Sequence, residues 1–324
     1  KTPSEEVKVE LINTLATVCE GKMYVEAESA RLHLMMARIL EANGKIDEAC
    51  AKIQDVHVET YGSLGKKEKV EFILEQIRLN LIRKDYIRTL IQSRKMSRKL
   101  IEDPELESQK IQFYMLLIEY YMYEGNTWEI TQCWYKITET ISVKAQPDTM
   151  LINTMKSVVL FILLSKHNNH QQDMLYRIKQ LPIFNEPLPY PEVKSVSEEA
   201  EGSMEVESAV TTTSSSTSTY AQNVPLLASF YHTIQLFTTQ ELIPLEFSGL
   251  SDIVGHIHAT CNNTSNTTTN TNPLPYYLNY SEKIEELKKL LRIRIIQHNI
   301  RVIANYYTVI TMKRLVVLLE LTGD

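Results

Sequence analysis

The sequence predicts an all-α fold, in which a helical-repeat, TPR-like α-solenoid is followed by a partial winged-helix subdomain. Three observations lead to this class. Apolar residues recur at helical spacing through the first 180 residues, polar turns interrupt them about every 40 residues, and the chain closes with a helix, a short β-branched stretch and another helix. Repeats of this length are typical of two-helix solenoids, and helix, strand, helix is the order in which a winged helix begins.

Four apolar stripes define helices in the first half of the chain. Gly and Pro are scarce there, and no strand-like alternation interrupts the pattern. Polar turns recur along the same part of the chain, and we expect each to open the second helix of a repeat. These turns are NGKIDEA, RKDYIRT, EGNTWEI and KHNNHQQD. The stripes are Ile46, Ala49, Cys50, Ile53; Val70, Ile73, Leu74, Ile77, Leu81; Ile111, Tyr114, Met115, Ile118, Met122; and Ile130, Cys133, Trp134, Ile137, Ile141.

The composition changes twice in the second half. One tract is acidic and then Ser/Thr-rich, and another is Asn/Thr-rich; both hold too few apolar residues to offset the entropy lost on ordering, so we expect disorder. The predicted segments are solenoid repeats at 1–190, a disordered insertion at 191–223, the last helical repeats at 224–261, a disordered loop at 262–275, and a long linking helix with the start of a winged helix at 276–324.

Within the last two ordered segments, four helices are predicted, and the first follows the helical periodicity of VPLLASFYHTIQLF from Val224 to Phe237. The stretch TTQELI reads as a capped helix start, and a long helix runs from near Ser281 to about Tyr306. A shorter helix follows Thr311, which suits an N-cap, and Gly323 lies where a C-terminal stop is expected. We expect the long helix to use the stripe Ile284, Leu287, Leu291, Ile295 and Val302, and the short helix to bury Met312, Leu315, Val316 and Leu319 as local core.

The residues between the long and the short helix are the candidate assembly-interface region. Thr308, Val309 and Ile310 are expected to form a short strand, which could extend a sheet into a neighbouring molecule by edge pairing. Lys313 and Arg314 follow on the short helix. The next helix and the wing of a complete winged helix do not follow before the sequence stops, and it starts with Lys rather than Met, so we expect a fragment.

Composition and charge argue against several classes of protein. With 44% hydrophobic and 23% charged residues the 324-residue chain has ordinary globular values, and a net charge of −6 argues against a protein whose main task is to neutralise phosphates. The four scattered cysteines suit reduced thiols. No membrane span or signal sequence is recognisable, so we expect a protein of the cytoplasm and nucleus without a membrane partner.

One pair of histidines raises the alternative of a metallohydrolase. His256 and His258 reproduce the HxH pair of zinc isopeptidases, but zinc needs a third ligand and a carboxylate to activate water. No acidic residue lies between Asp252 and Glu282, so the expected motif is incomplete. Nucleotide-binding and common hydrolase signatures are also missing from the sequence. We therefore expect no catalytic residue, no metal site and no cofactor.

A run of basic residues is the candidate partner-facing patch. Helical spacing would place Arg94, Lys95, Arg98 and Lys99 on one solvent-facing sector. Such a patch could contact an acidic protein or RNA, although charged helix faces are usually just solvated.

Several stretches carry a resemblance to a known family. GKIDEA, VETYGS, KVEFILEQ, KDYIRT, QLFTTQELI and above all HNIRVIANYYTVITMKRLVVLLEL resemble the PCI-domain lid subunits of the 26S proteasome, over most of residues 20–145 and 229–322. The resemblance implies a helical-repeat arm joined to a winged helix, in a scaffold without catalysis. It implies as partners the other PCI lid subunits, the lid deubiquitinase, the ATPase base and the core particle, and no nucleic acid.

Three alternatives remain beside this interpretation. A homologous PCI subunit of the signalosome would share the architecture, while VETYGS and KVEFILEQ favour the proteasome. A winged-helix nucleic-acid-binding protein and a metallohydrolase that uses the histidine pair are the alternatives from other classes.

Overall fold

The computed structural model describes residues 5–19, 21–142, 149–181, 184, 225–261 and 282–321, and these residues confirm the all-α class. No β-strand occurs among them. The two tracts that were predicted to be disordered, at 191–223 and 262–275, lie outside the described residues. The helices are α1 (Glu5–Cys19), α2 (Glu26–Ala42), α3 (Ile46–Gln54), α4 (Lys66–Ile82), α5 (Tyr86–Lys95), α6 (Arg98–Ile101), α7 (Glu107–Glu124), α8 (Thr127–Ser142), α9 (Thr149–Leu164), α10 (Asn169–Lys179), α11 (Pro225–Thr238), α12 (Leu250–Cys261), α13 (Lys283–Tyr306) and α14 (Met312–Leu318).

The chain divides into two compact units. Unit 1 comprises Lys1–Phe161 with Ala259–Ile284, and unit 2 comprises Ile162–His258 with Glu285–Asp324. Within unit 1 each helix packs on its neighbours in the chain: α1 on α2, α2 on α3, α3 on α4, α4 on α5 and α7, and α7 on α8. Contact between successive helices is the arrangement expected of stacked repeats.

The repeat turns have a shared backbone geometry. Gly44, Lys84 and Gly125 all have positive φ, at 75°, 64° and 75°, and each follows the first helix of a pair. Beside each of them a backbone N–H reaches back five residues to a carbonyl oxygen, which closes the helix in a Schellman-type turn. These bonds are Lys45 N to Leu40 O at 2.9 Å, Asp85 N to Asn80 O at 2.9 Å, and Asn126 N to Tyr121 O at 3.1 Å. The predicted period of about 40 residues is thereby confirmed in three successive turns.

The fourth predicted turn uses a different device. The Asn168 side chain accepts a hydrogen bond from the Gln171 backbone N–H at 2.6 Å and so caps the start of α10. Asn is among the best N-cap residues because its side-chain oxygen satisfies an N–H that has no partner within the helix. The second helix of this pair therefore begins where the sequence predicted it.

The core of unit 1 is built around α4. Val70, Phe72, Ile73, Leu74 and Ile77 are at most 2% exposed, and they point to more than one side of the helix. Burial on several sides follows from the contacts of α4 with α3, α5 and α7. Since burying one such side chain contributes about 1.5–3 kcal/mol, α4 supplies a large part of the stability of unit 1.

Two polar side chains of α4 tie it to the preceding pair. The buried Gln76 amide donates to the backbone oxygens of Ile53 at 2.6 Å and Val56 at 3.0 Å, where α3 ends. The Arg78 guanidinium lies between the carboxylates of Glu41 and Glu75, with nitrogen–oxygen distances of 2.5–2.7 Å. These contacts fix how far α4 can slide along α2 and α3.

Unit 2 contains a loop that the sequence did not predict. TTQELI was expected to begin a helix, but residues 239–249 form no helix and α12 starts at Leu250. Pro244 lacks a backbone N–H and disfavours helical geometry at the residue before it. Ile243 is held instead by the side-chain amide of Asn299 on α13, which accepts from its N–H at 2.8 Å and donates to its carbonyl oxygen at 2.7 Å.

The long predicted helix is confirmed as α13, which ends at Tyr306 as expected. All five residues of its predicted stripe are buried, with exposures of 2–7%. The short helix α14 ends earlier than the sequence suggested. It stops at Leu318 and is followed by Glu320 at a φ of 53°, where Leu321 N bonds to Val316 O at 3.1 Å, while Gly323, the predicted stop, lies outside the described residues.

Candidate functional site

The candidate assembly-interface region lies between α13 and α14. Thr308 is exposed, Val309 is 86% exposed, and Ile310 is half-buried. The expected strand at these residues is wrong: 307–311 form an irregular connection between the two helices. A strand is stabilised by hydrogen bonds to a neighbouring strand, and the described residues supply none. The backbone here remains open to an outside partner.

Helix α14 also exposes more apolar side chains than the sequence predicted. Leu319 is 3% exposed, and Leu315 and Val316 are half-buried, but Met312 is 72% exposed, so its placement in the local core is wrong. The apolar stripe is intact, but within the described residues nothing covers its first turn. Lys313 and Arg314 are exposed beside it, and Val317 is 65% exposed.

We call residues 308–310, 312–314 and 317 the C-terminal exposed segment. Three of its large apolar side chains, Val309, Met312 and Val317, stand mostly in water. Exposed apolar groups of this size beside basic residues are characteristic of protein-binding surfaces. The Leu245 N–H donates to the Glu320 carboxylate at 3.0 Å, which connects the residues just after this segment to the 239–249 loop.

The candidate basic patch is divided between two helices. Helix α5 ends at Lys95 and α6 begins at Arg98, so the four residues do not share one helix face. Arg94 and Lys99 are exposed, and the side chain of Arg98 lies outside the described part of the chain. The Lys95 ammonium is 18% exposed and contacts the Glu59 carboxylate at 3.1 Å and the His57 ring at 3.0 Å. Its charge is therefore partly neutralised within unit 1.

Two further exposed apolar rows were missed at the sequence level. On α5, Ile87 is 77% and Ile91 is 53% exposed, one helical turn apart. On α1, a row of four residues is 41–54% exposed. The i, i+4 spacing was visible in the sequence, but spacing alone predicts a buried face and does not say what covers it. The α1 row is Val7, Leu11, Leu15 and Val18.

The histidine pair lies on helix α12. Residues two apart on a helix project about 200° apart, so the rings of His256 and His258 point to different sides and do not converge on one ion. The His256 ring packs edge-on against Phe230 with centroids 5.6 Å apart. No group of three potential metal ligands occurs among the described residues.

The cysteines lie mostly in the interior. Cys50, Cys133 and Cys261 are buried, and Cys19 is half-buried. Burial raises the pKa of the Cys261 thiol to about 11, so it stays protonated at neutral pH. A protonated, buried thiol is a poor nucleophile and a poor metal ligand.

A search for membrane-spanning helices found none in the described ranges.

The chain is similar in sequence to one family model and to several proteasome regulatory subunits. Residues 1–146 match the family model described as PSMD12/CSN4, N-terminal. Over 98% of its length the chain is 31% identical to the 26S proteasome non-ATPase regulatory subunit 12 of Dictyostelium discoideum and covers 58% of that protein. It is 28% identical, over 97% of its length, to the 26S proteasome regulatory subunit RPN5 of Saccharomyces cerevisiae, again covering 58%.

A plant relative gives the same result. The chain is 31% identical over 98% of its length to the 26S proteasome non-ATPase regulatory subunit 12 homolog B of Arabidopsis thaliana, of which it covers 64%. The chain thus spans about three fifths of the length of these relatives.

Proposed function

We propose that this chain is a structural, non-catalytic subunit of the proteasome regulatory-particle lid, because almost its whole length is similar to the 26S proteasome non-ATPase regulatory subunit 12. Its task would be to hold other subunits in position during ubiquitin-dependent protein degradation. Similarity that runs along almost the whole chain supports this proposal more strongly than a match to one helical segment would.

The observation that carries the proposal is the C-terminal exposed segment. Val309 is 86% and Met312 is 72% exposed, and apolar side chains of this size favour burial against another surface. Burying each would contribute roughly 1.5–3 kcal/mol to an association. Lys313 and Arg314 beside them would select a partner surface that carries acidic residues.

The proposed partners are the other PCI subunits of the lid, the lid deubiquitinase, the ATPase base and the core particle, in the cytoplasm and nucleus. In this arrangement the helical repeats form a rigid arm, and the segment from α13 onward belongs to a winged helix that sets the order of the subunit among its neighbours. Deubiquitination and ATP hydrolysis would belong to other subunits.

A signalosome subunit remains the second candidate, because the matching family model carries CSN4 in its description as well. The full-length similarities to proteasome regulatory subunits favour the first candidate. The two candidates differ in which complex they enter, and this difference can be measured.

The decisive experiment is native mass spectrometry of complexes purified through a tag on the chain expressed in eukaryotic cells. We expect proteasomal subunits to co-purify with the wild-type chain and to be lost with the double variant Val309→Asp, Met312→Asp. The matched control is Met23→Asp with Tyr24→Asp, because both of these side chains are 80% exposed in unit 1. Recovery of signalosome subunits, or of no large complex with the wild type, would contradict the proposal.

A further inference from the structure

Unit 2 contains a cavity whose charged lining is entirely basic. It has a volume of about 500 Å³ and lies between α10, the end of α11 with the residues that follow, and α13. Arg301, His167 and His298 line it, together with amide and hydroxyl side chains and a few apolar ones. No carboxylate contributes to its wall among the described residues.

Arg301 is the central group of this cavity. It is half-buried, and it forms no hydrogen bond or ion pair with any residue that the structure describes. Its neighbour Arg294 is different, since that guanidinium donates to Leu164 O and to the Gln297 side chain, both at 2.8 Å. Burial, and then the charge of Arg294, lower the pKa of Arg301. A half-buried guanidinium without a counter-ion is a costly arrangement in a folded protein.

Two histidines flank Arg301 in the cavity wall. His298 is buried, and its Nε2 contacts Glu241 O at 3.2 Å. Burial first, and then the charge of Arg301, lower the pKa of both His167 and His298. For His298 the hydrogen bond to Glu241 O opposes this shift, whereas the charge of His167 adds to it. An anion placed among these three groups would relieve their mutual repulsion.

A buried amide side chain lies in the same wall. Gln171 is 5% exposed and its amide nitrogen donates to Ile162 O at 3.2 Å. Burial lowers the pKa of His167, and a hydrogen bond between the Gln171 side chain and the His167 ring partly opposes that shift. The cavity thus offers a guanidinium and two imidazole rings as donors for an oxyanion. The apolar side chains of Leu175, Phe237 and Val302 complete its wall.

We propose that this cavity binds an oxyanion, either a carboxylate or a phosphate, that an acidic peptide segment of a partner protein presents. The Arg301 fork suits the paired oxygens of either group. The apolar wall gives the peptide chain a surface to pack on. This site is separate from the C-terminal exposed segment, and its occupancy does not depend on the role in the proteasome.

Inorganic phosphate is the first probe, titrated into the free 324-residue chain at pH 6.5. The readout is the ring nitrogen NMR signals of His167 and His298. We expect saturable shifts toward the protonated form, because a bound anion raises the pKa of a neighbouring histidine. Arg301→Gln should weaken phosphate binding about tenfold or more. The control Arg177→Gln should not change it, since Arg177 lies on α10, is exposed and pairs with Asp173 at 3.1 Å.

Peptides then identify the source of the oxyanion. Two short peptides that contain one phosphoserine or one glutamate, in otherwise neutral sequence, are compared with peptides that contain serine or glutamine there. Binding of the phosphoserine peptide only assigns the site to a phosphorylated segment, and binding of both acidic peptides assigns it to acidic segments in general. Either result supports the site.

Two results would overturn the proposal. One is the absence of a saturable histidine shift in the wild-type chain with phosphate and with both acidic peptides. The other is equal phosphate binding by wild type and Arg301→Gln. If Arg301→Gln does not fold, Arg301→Lys replaces it, because it keeps the charge but loses the bidentate fork and should bind more weakly than wild type. Because these measurements use the free chain, their failure is distinct from failure to enter the proteasome.

Discussion

Arg78 and Glu41 join two helices of the repeat through a pair of parallel hydrogen bonds. The guanidinium nitrogens lie 2.6 and 2.5 Å from the two carboxylate oxygens, and the arginine side chain is 10% exposed. Glu75 contacts the same guanidinium from the neighbouring turn of α4 at 2.7 Å. One buried cation therefore binds two carboxylates, and its removal takes the same hydrogen-bond donor from both.

Arg78→Leu should lower the free energy of unfolding of unit 1 by about 3 kcal/mol, the lower end for breaking a buried pair, because the Glu41 side chain still reaches water. Urea unfolding followed by circular dichroism measures the loss. Arg31→Leu is the matched control, since its ion pair with Glu68 is exposed and should leave the urea midpoint unchanged. Equal loss in both variants would show that burial of the Arg78 pair is unimportant.

The same contact should make stability depend on acidity. Hydrogen bonding to Arg78 lowers the pKa of Glu41 below its usual value. The folded state therefore binds this proton less readily than the unfolded state. The stabilisation is complete above the unfolded pKa of about 4.3 and is lost as the pH falls through the lowered folded value.

Glu41→Gln removes that titration. We expect the stability difference between wild type and Glu41→Gln to be largest near pH 7 and to shrink below about pH 4.3. Urea midpoints of the two proteins between pH 3 and pH 7 measure it. A difference that stays constant over this range would contradict the assignment.

Lys84→Gly should stabilise unit 1. Lys84 has a φ of 64°, where a side chain is strained, and it occupies the turn position that glycine fills at Gly44 and Gly125. Removing the side chain should gain about 0.5–1 kcal/mol, less the entropy that glycine adds to the unfolded chain.

Two variants check the cause of that gain. Lys84→Ala keeps the Cβ atom and should gain nothing. Gly44→Ala should lose about 1 kcal/mol from backbone strain alone, because no atom lies within 4 Å of the added Cβ. Thermal unfolding compares all three, and a gain in Lys84→Ala equal to that in Lys84→Gly would attribute the effect to charge.

Asn299→Ala should loosen the 239–249 loop of unit 2. The Asn299 amide satisfies both backbone groups of Ile243, and both residues are almost fully buried. Without it, a buried N–H and a buried carbonyl oxygen lose their partners, at a cost of about 1–3 kcal/mol each.

Limited proteolysis detects this change, because the loop should become a cleavage site while unit 1 stays resistant. Asn305→Ala is the control, since that side chain is exposed on the same helix. Cleavage that is equally fast in both variants would contradict the role of Asn299.

The repeat period was predictable because local rules produce it. Polar turns and apolar stripes specify where each helix pair starts, and the turns at Gly44 and Gly125 carry the glycine that a left-handed residue favours. The left-handed Lys84 was not predictable, since the sequence there contains no glycine. The ion pair between Lys95 and Glu59 was also not predictable from the sequence. The two residues are far apart in the chain and meet only through tertiary packing.

Sequence patterns predicted neither the solvent exposure of the C-terminal residues nor the long-range contacts that form the basic cavity. The apolar stripe of α14 specified a face but not whether the chain covers it, so Met312 was assigned to the core although it is 72% exposed. His167 lies in a turn and His298 in a helix, with more than a hundred residues between them, and helical periodicity says nothing about their meeting beside Arg301.

The position of α4 determines how damage spreads through unit 1. Helix α4 contacts α3, α5 and α7, whereas α1 contacts α2, so local unfolding should spread further from α4 than from α1. A destabilising substitution in α1 would then leave the central helices folded. A destabilising substitution in α4 would make the helices of unit 1 unfold separately and no longer as one cooperative unit.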